Sequence, residues 1–147
     1  MKHADARVRR VVDTFESLSP ATLTSALSAT YSDDAYFRDP FHEVRGRDAI
    51  QAIFAHMFET MRAPRFVVRE AVLQGDQCFL VWDMHFGLAR WHAERVETIH
   101  GASHLRFGDD GRVAWHRDYW DAAEELYEKL PLVGTLMRWL RRRAAAT

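Results

Sequence analysis

Between Ala4 and Leu18, the apolar residues Val8, Val11, Val12, Phe15 and Leu18 recur every three or four positions, which predicts a helix with one apolar face. Ser19-Pro20 pairs a capping hydroxyl with proline, predicting a second helix that starts there, turns Leu23 and Leu27 inward and ends near Tyr31. The stretch "AYFRD" ending at Asp39 reads as a short strand, and "PFHEVRG" after it as a loop. From Arg47 to Met61 the apolar positions Ile50, Ile53, Phe54, Met57, Phe58 and Met61 return at helical spacing.

The period then changes to two. Arg65–Leu73, Gln77–Arg90, Arg95–Phe107 and Arg112–Trp120 read as four strands, with turn residues at Gly75-Asp76 and in the "GDDG" of Gly108–Gly111. Such short links favour antiparallel neighbours. A helix is predicted from Asp121 to about Leu130, interrupted by Pro131, after which Leu132, Val133, Leu136, Met137 and Leu140 form another apolar face. Helices followed by a strand meander give an α+β fold: one domain over residues 1–147, a curved antiparallel sheet with helices on one face, and a helical tail over about 121–143.

Composition narrows the partners. Apolar residues make up 48% and charged residues 28% of the 147, a globular balance, and the formal charge of -1 gives no bias towards a polyanion, so no nucleic acid is expected. Cys78 stands alone, which excludes an internal disulfide and a multi-cysteine zinc site. The charged start "MKHADARVRR" has no apolar signal stretch and no run reaches membrane-spanning length, so a cytoplasmic protein without a membrane partner is expected. The tail "LPLVGTLMRWLRRR" has an apolar face and a basic end. It is expected to pack over the domain's own sheet or a partner subunit; lying on a membrane surface is the alternative.

Candidate chemistry gathers at strand ends. Asp39 precedes a proline and follows Phe37 on the same strand face, so it is either a turn cap or a carboxylate desolvated beside a pocket. His116, Asp118 and Trp120 alternate along one strand and project from one face, where an imidazole and a carboxylate can share a proton. The opposite face would carry Trp115 and Tyr119 beside His100 and His104. Asp83 and His85 share a face, with Trp82, Met84 and Phe86 on the other; we place the polar pair inward, and the opposite register would line the cavity with the apolar set. His100 and His104 lie roughly 13 Å apart along a strand, too far for one ion, and no metal or cofactor is expected.

The combination "YSDDAYFRDP…G…AI…F", "LRFGDDGRV" and "HRDYWD" resembles the nuclear transport factor 2-like superfamily, and within it the SnoaL-like and ketosteroid isomerase-like group. That resemblance implies a cone-shaped sheet, N-terminal helices on its concave face, and an apolar pocket. It also implies that Asp39 occupies the position of the steroid isomerases' general base. Where those enzymes carry oxyanion-hole donors, a tyrosine and a protonated aspartate, this chain has Phe15 and Ser103, and Phe54 replaces a supporting tyrosine. "HRDYWD" is similar to a limonene epoxide hydrolase motif, which puts Asp118 at a catalytic acid and Asp83 at its partner, with Val81 where the arginine belongs.

Three functions follow. The first is cofactor-independent acid/base chemistry, isomerase- or cyclase-like, on a small apolar or cyclic molecule. Asp39, Asp118, His116 and Asp83 would move protons, Ser103 and His116 would meet an enolate oxygen, and Phe15, Phe37, Phe54, Phe58, His85, Ser103 and Trp120 would surround the substrate. The second is a non-catalytic ligand-binding or dimerisation module. The third is epoxide hydrolase-like water addition between Asp83 and Asp118. The aromatic outer sheet face leads us to expect a homodimer.

Overall fold

The computed structural model describes residues 2–88, 95–127, 130 and 132–145. Helix α1 (Ala6–Ser17) is capped by Asp5, whose carboxylate accepts the Arg7 backbone N–H at 2.8 Å, and it buries Val8, Val11, Val12 and Phe15. Helix α2 (Leu23–Thr30) begins later than Ser19-Pro20. That pair instead forms a turn, with the Thr22 N–H donating to the Ser19 carbonyl and the Ser19 and Thr22 hydroxyls 2.9 Å apart. A buried hydrogen bond of 2.7 Å between Thr14 and Thr30 ties the two helices together.

Strand β1 (Tyr31–Arg38) continues directly from α2 and is longer than the sequence pattern suggests. The predicted loop contains a three-residue strand, β2 (Glu43–Arg45), paired antiparallel with β1; it is too short to show a period. Gly46, at φ 103°, then starts α3 (Arg47–Thr60), a backbone conformation open to glycine and costly for other residues. The four long strands follow as β3 (Met61–Gln74), β4 (Gln77–Leu88), β5 (Val96–Phe107) and β6 (Val113–Tyr119). Residues 89 and 90, which the sequence adds to β4, lie outside the described residues.

The sheet has the order β2-β1-β6-β5-β4-β3. All pairings are antiparallel except β1–β6, which is parallel because β1 joins the far edge of the meander. Register shifts in the β3–β4 ladder bend the sheet around the helices. At one of them the Val68 N–H is satisfied by the Glu16 carboxylate of α1 at 2.9 Å, so the bend costs no orphaned donor.

After β6 the described residues contain one helical turn, α4 (Ala122–Glu125), of the helix predicted to Leu130; residues 128 and 129 of that span, and Pro131, lie outside the described residues. The tail forms α5 (Val133–Ala144). Its expected packing over the domain's own sheet is not what the structure has. Gly134 is its buried position, Arg141 reaches Glu124, and Leu132, Val133, Leu136, Trp139 and Leu140 remain exposed. No described helix is long and apolar enough to cross a membrane. The outer sheet face carries the expected aromatics: His104 stacks on Phe79 at 4.3 Å and meets Trp115 at 4.8 Å, and Tyr119 is exposed.

Gly101 makes the interior arrangement possible. It sits opposite Trp82 in the β4–β5 ladder, and a Cβ there would lie 2.4 Å from the indole ring. The ring is buried and held by its N–H to Ser103, so it has nowhere to retreat. Gly101→Ala is therefore expected to destabilise the protein by about 2 kcal/mol, an overpacking cost read from urea unfolding midpoints. An unchanged midpoint would show that the indole is free to move.

Candidate functional site

A cavity of about 380 Å³ opens between α3, the β1–β2 hairpin and the inner face of the sheet. Its walls are mainly apolar: Phe37 from β1, Ile53, Phe54 and Met57 from α3, Phe66 from β3, Trp82 and Met84 from β4 and Ile99 from β5. The polar groups are Asp39 and His42 from the hairpin, His56 and Thr60 from α3, and Asp118 and Trp120 at the end of β6. A small recess of about 20 Å³ lies deeper, bounded by Phe15, Phe54, Phe66, Val68, Trp82, Ser103, His116 and Asp118.

One chain of hydrogen bonds runs through the floor. The Trp82 indole N–H donates to Ser103 Oγ at 2.9 Å, so the serine's own hydrogen goes to Asp118 Oδ1 at 2.5 Å. From the other side, Tyr31 Oη lies 2.6 Å from His116 Nδ1, and His116 Nε2 lies 2.5 Å from Asp118 Oδ1. A carboxylate only accepts, so Nε2 carries a hydrogen; the phenol hydrogen meets no other acceptor among the described residues, so it goes to Nδ1. Burial and the nearby Asp118 charge push the Tyr31 hydroxyl well above its ordinary value and keep it a donor. His116 is also fixed by rings: nearly coplanar with Tyr31, 8° between planes and centroids 5.9 Å apart, with Phe37 at 4.8 Å and Phe15 at 5.7 Å. Both chains converge on one oxygen of Asp118, and Oδ2 holds no hydrogen bond to the described residues. Asp118, 18% exposed, borders both the cavity and the recess.

Several expected placements are revised. Asp39 borders the cavity, but its carboxylate caps the turn. Oδ1 accepts the N–H groups of Phe41 at 2.8 Å and His42 at 2.7 Å, and the His42 ring lies 3.0 and 3.1 Å from its two oxygens. The proline after it forces a tight hairpin whose amides need an acceptor, and Asp39 is the nearest. Asp83 faces away from the cavity, paired with His100 at 2.5 Å and Arg69 at 2.9 Å, which hold its carboxyl below the usual carboxylate value, the His100 hydrogen bond most of all. The apolar register wins because Trp82, Met84 and Phe86 gain more from burial than Asp83 and His85, whose charge and ring are satisfied outside. His85 accordingly bonds Thr98 at 2.8 Å. Asp83 therefore cannot form a water-activating pair with Asp118, and the epoxide hydrolase reading falls with it.

Ser103 and His116 belong to the floor, but their hydrogens are committed to Asp118, so neither is a spare oxyanion donor. Phe37, Phe54 and Trp120 border the main cavity, Phe15 borders the recess, and Phe58 packs beside the core outside both linings. Sequence reasoning missed Tyr31, His42 and His56. His42 alone had a visible cue, three residues after Asp39 in a turn. Among the described residues no three histidine, cysteine or acidic side chains gather as a metal site.

A family model for the SnoaL-like domain matches residues 8–116, and the chain belongs to that family. No curated protein sequence matches it. Solved structures share the fold at low identity. A nuclear transport factor 2-like protein of unknown function from Burkholderia pseudomallei is 18% identical at a TM-score of 0.71, covering 82% of this chain and 94% of its own. A protein from Catenulispora acidiphila with a ketosteroid isomerase-like fold, solved with trimethylamine, is 16% identical at 0.70, covering 84% and 92%. A candidate SnoaL-like polyketide cyclase from a Jannaschia species is 14% identical at 0.68, covering 84% and 94%.

The Tyr31 phenol supplies a pH signature. Its folded value lies above its unfolded value near 10, so the native state holds that proton more tightly. Its contribution to stability is complete below about pH 10 and is lost as pH rises further. Tyr31→Phe leaves His116 Nδ1 without its donor, an expected cost of about 1–3 kcal/mol at pH 8, and it removes this alkaline loss. Urea unfolding of both proteins from pH 8 to about 11 checks it; parallel stability curves would contradict the assignment.

Proposed function

We propose that this member of the SnoaL-like family is a cofactor-independent acid/base enzyme, isomerase- or cyclase-like, acting on a small, largely apolar molecule in the cavity. The observation that carries the reading is the convergence of the Tyr31–His116 and Trp82–Ser103 chains on Asp118 Oδ1. Two donors on one oxygen fix the carboxylate plane and leave Oδ2 as the acceptor for a substrate proton. The base would take a proton from carbon next to a carbonyl. In isomerisation it returns the proton at a second carbon. In cyclisation the resulting enolate carbon attacks a second carbonyl carbon of the same molecule, the C=O π pair passes to its oxygen, and Asp118 returns its proton to that alkoxide. Asp39 is a positioning residue in this scheme, shaping the hairpin that carries His42 to the cavity wall. His42, His56 and Trp120 are the polar groups available to a substrate oxygen. Support for this class also comes from the neighbouring folds, among them the candidate polyketide cyclase and a protein of the SnoaL-like family from Agrobacterium tumefaciens described as an isomerase by proposal.

A second reading is a ligand carrier without catalysis. The mainly apolar wall and the commitment of Ser103 and His116 to Asp118 favour it. The two separate on one experiment: carbon-bound proton exchange in heavy water, followed by NMR, across cyclic enones and polyketone substrates. The enzyme reading expects exchange of at least one substrate and a loss of roughly 100-fold or more in Asp118→Asn. Asp39→Asn keeps an acceptor oxygen for the turn and is expected to retain most of the activity. Binding with no exchange by the unmodified protein supports the carrier; full exchange by a folded Asp118→Asn protein excludes Asp118 as the base.

A further inference from the structure

We infer that α5 is a membrane-docking helix: its apolar face lies in the surface of an anionic lipid bilayer, with its arginines at the level of the headgroup phosphates. The inference is independent of the chemistry proposed for the cavity.

The first observation is where the helix turns its apolar side. Viewed down the axis, Val133, Leu136, Trp139 and Leu140 fall within an arc of about 120°. All four are exposed, whereas Gly134 is buried and Met137 half-buried on the side turned to the domain. The domain thus takes one edge of the helix and leaves its widest apolar strip in water, where a patch of large side chains is unfavourable. Leu132, just before the helix, adds another exposed apolar side chain. The 12 residues of α5 reach about 18 Å, well short of a bilayer's hydrocarbon core, so the helix suits a position along the surface and not one across it.

The second observation is the charge. α5 holds four arginines, Arg138, Arg141, Arg142 and Arg143, and no acidic residue, in a chain whose formal charge is -1. Arg138, Arg141 and Arg142 occupy the side opposite the apolar arc, where Arg141 reaches Glu124 at 3.6 Å. Among the described residues Arg142 and Arg143 make no ion pair. Arg143 lies over the Trp139 ring at 5.6 Å, so an indole and a guanidinium meet at the end of the apolar face, a pair suited to the boundary between acyl chains and phosphates. The charges also choose among occupants. A second copy of α5 would bring four more arginines and no acid against this one, a like-charge contact. An anionic bilayer offers phosphates around an apolar interior and so matches both parts of the helix at once.

Flotation of the full chain with vesicles of phosphatidylcholine, or of phosphatidylcholine and phosphatidylglycerol in equal parts, tests it. A preference of about ten-fold or more for the anionic vesicles is expected, falling as salt is raised. Leu136→Glu with Leu140→Glu changes two exposed residues, so the fold, checked by circular dichroism, is expected to hold while binding falls about ten-fold or more. In the unmodified protein, acyl chains brominated near the headgroup are expected to quench tryptophan emission, and Trp139→Phe to remove most of that quenching. No binding to anionic vesicles overturns the inference. So does undiminished binding by the folded double variant, which would be attraction by charge alone. A chain that ignores vesicles but passes from dimer to monomer in that variant, by light scattering, overturns it in favour of a second copy covering this face.

Discussion

A fully buried imidazole has two nitrogens to satisfy, and the structure is organised around meeting that demand at His116. One nitrogen is met by Tyr31, at the first residue of β1, and the other by Asp118, two residues along β6. Leaving either unpaired would cost the desolvation penalty of a buried polar atom, about 1–3 kcal/mol. The Tyr31 contact is possible only because β1 pairs with β6, joining the start of the chain to the end of the meander. The parallel pairing is thus the step that assembles the site, and it links residues 85 positions apart.

The rest of the interior follows from that placement. The curved sheet turns Trp82 towards the floor, Gly101 leaves room for its ring, and the indole N–H then sets the direction of the Ser103 hydroxyl. Each donor has one available acceptor, so the hydrogens all point towards Asp118. The outcome is a carboxylate held in one orientation by groups that are themselves packed. Apolar walls surround it, where a fixed charge acts more strongly on a ligand than it would in water.

Much of this architecture was legible in the sequence, and the limits have physical causes. The helical faces of α1 and α3 and the four long strands came from periodicity, because long amphipathic segments report their own burial. The shared face of His116 and Asp118 followed from alternation alone. The face of β4 did not: its two faces hold Trp82, Met84 and Phe86 against Asp83 and His85, and the apolar set can take the burial because neighbouring strands supply outer partners, Arg69 and His100 for Asp83 and Thr98 for His85. Asp39 shows a similar limit. Its position before a proline and near a pocket was readable, but whether its oxygens serve the turn or a ligand depends on amides two and three residues on. Tyr31 was invisible as a site residue because its role comes from a parallel pairing with a strand at the other end of the chain.

His116 is thus a directional link, receiving a hydrogen from Tyr31 and giving one to Asp118. Nitrogen-15 NMR of the histidine rings near pH 7.5 tests it most directly, with His116 assigned by its loss in His116→Gln. The expected spectrum shows a ring with Nε2 protonated and Nδ1 bare, and a Nδ1 shift that moves in Tyr31→Phe. A His116 ring protonated on Nδ1, alone or together with Nε2, would contradict it.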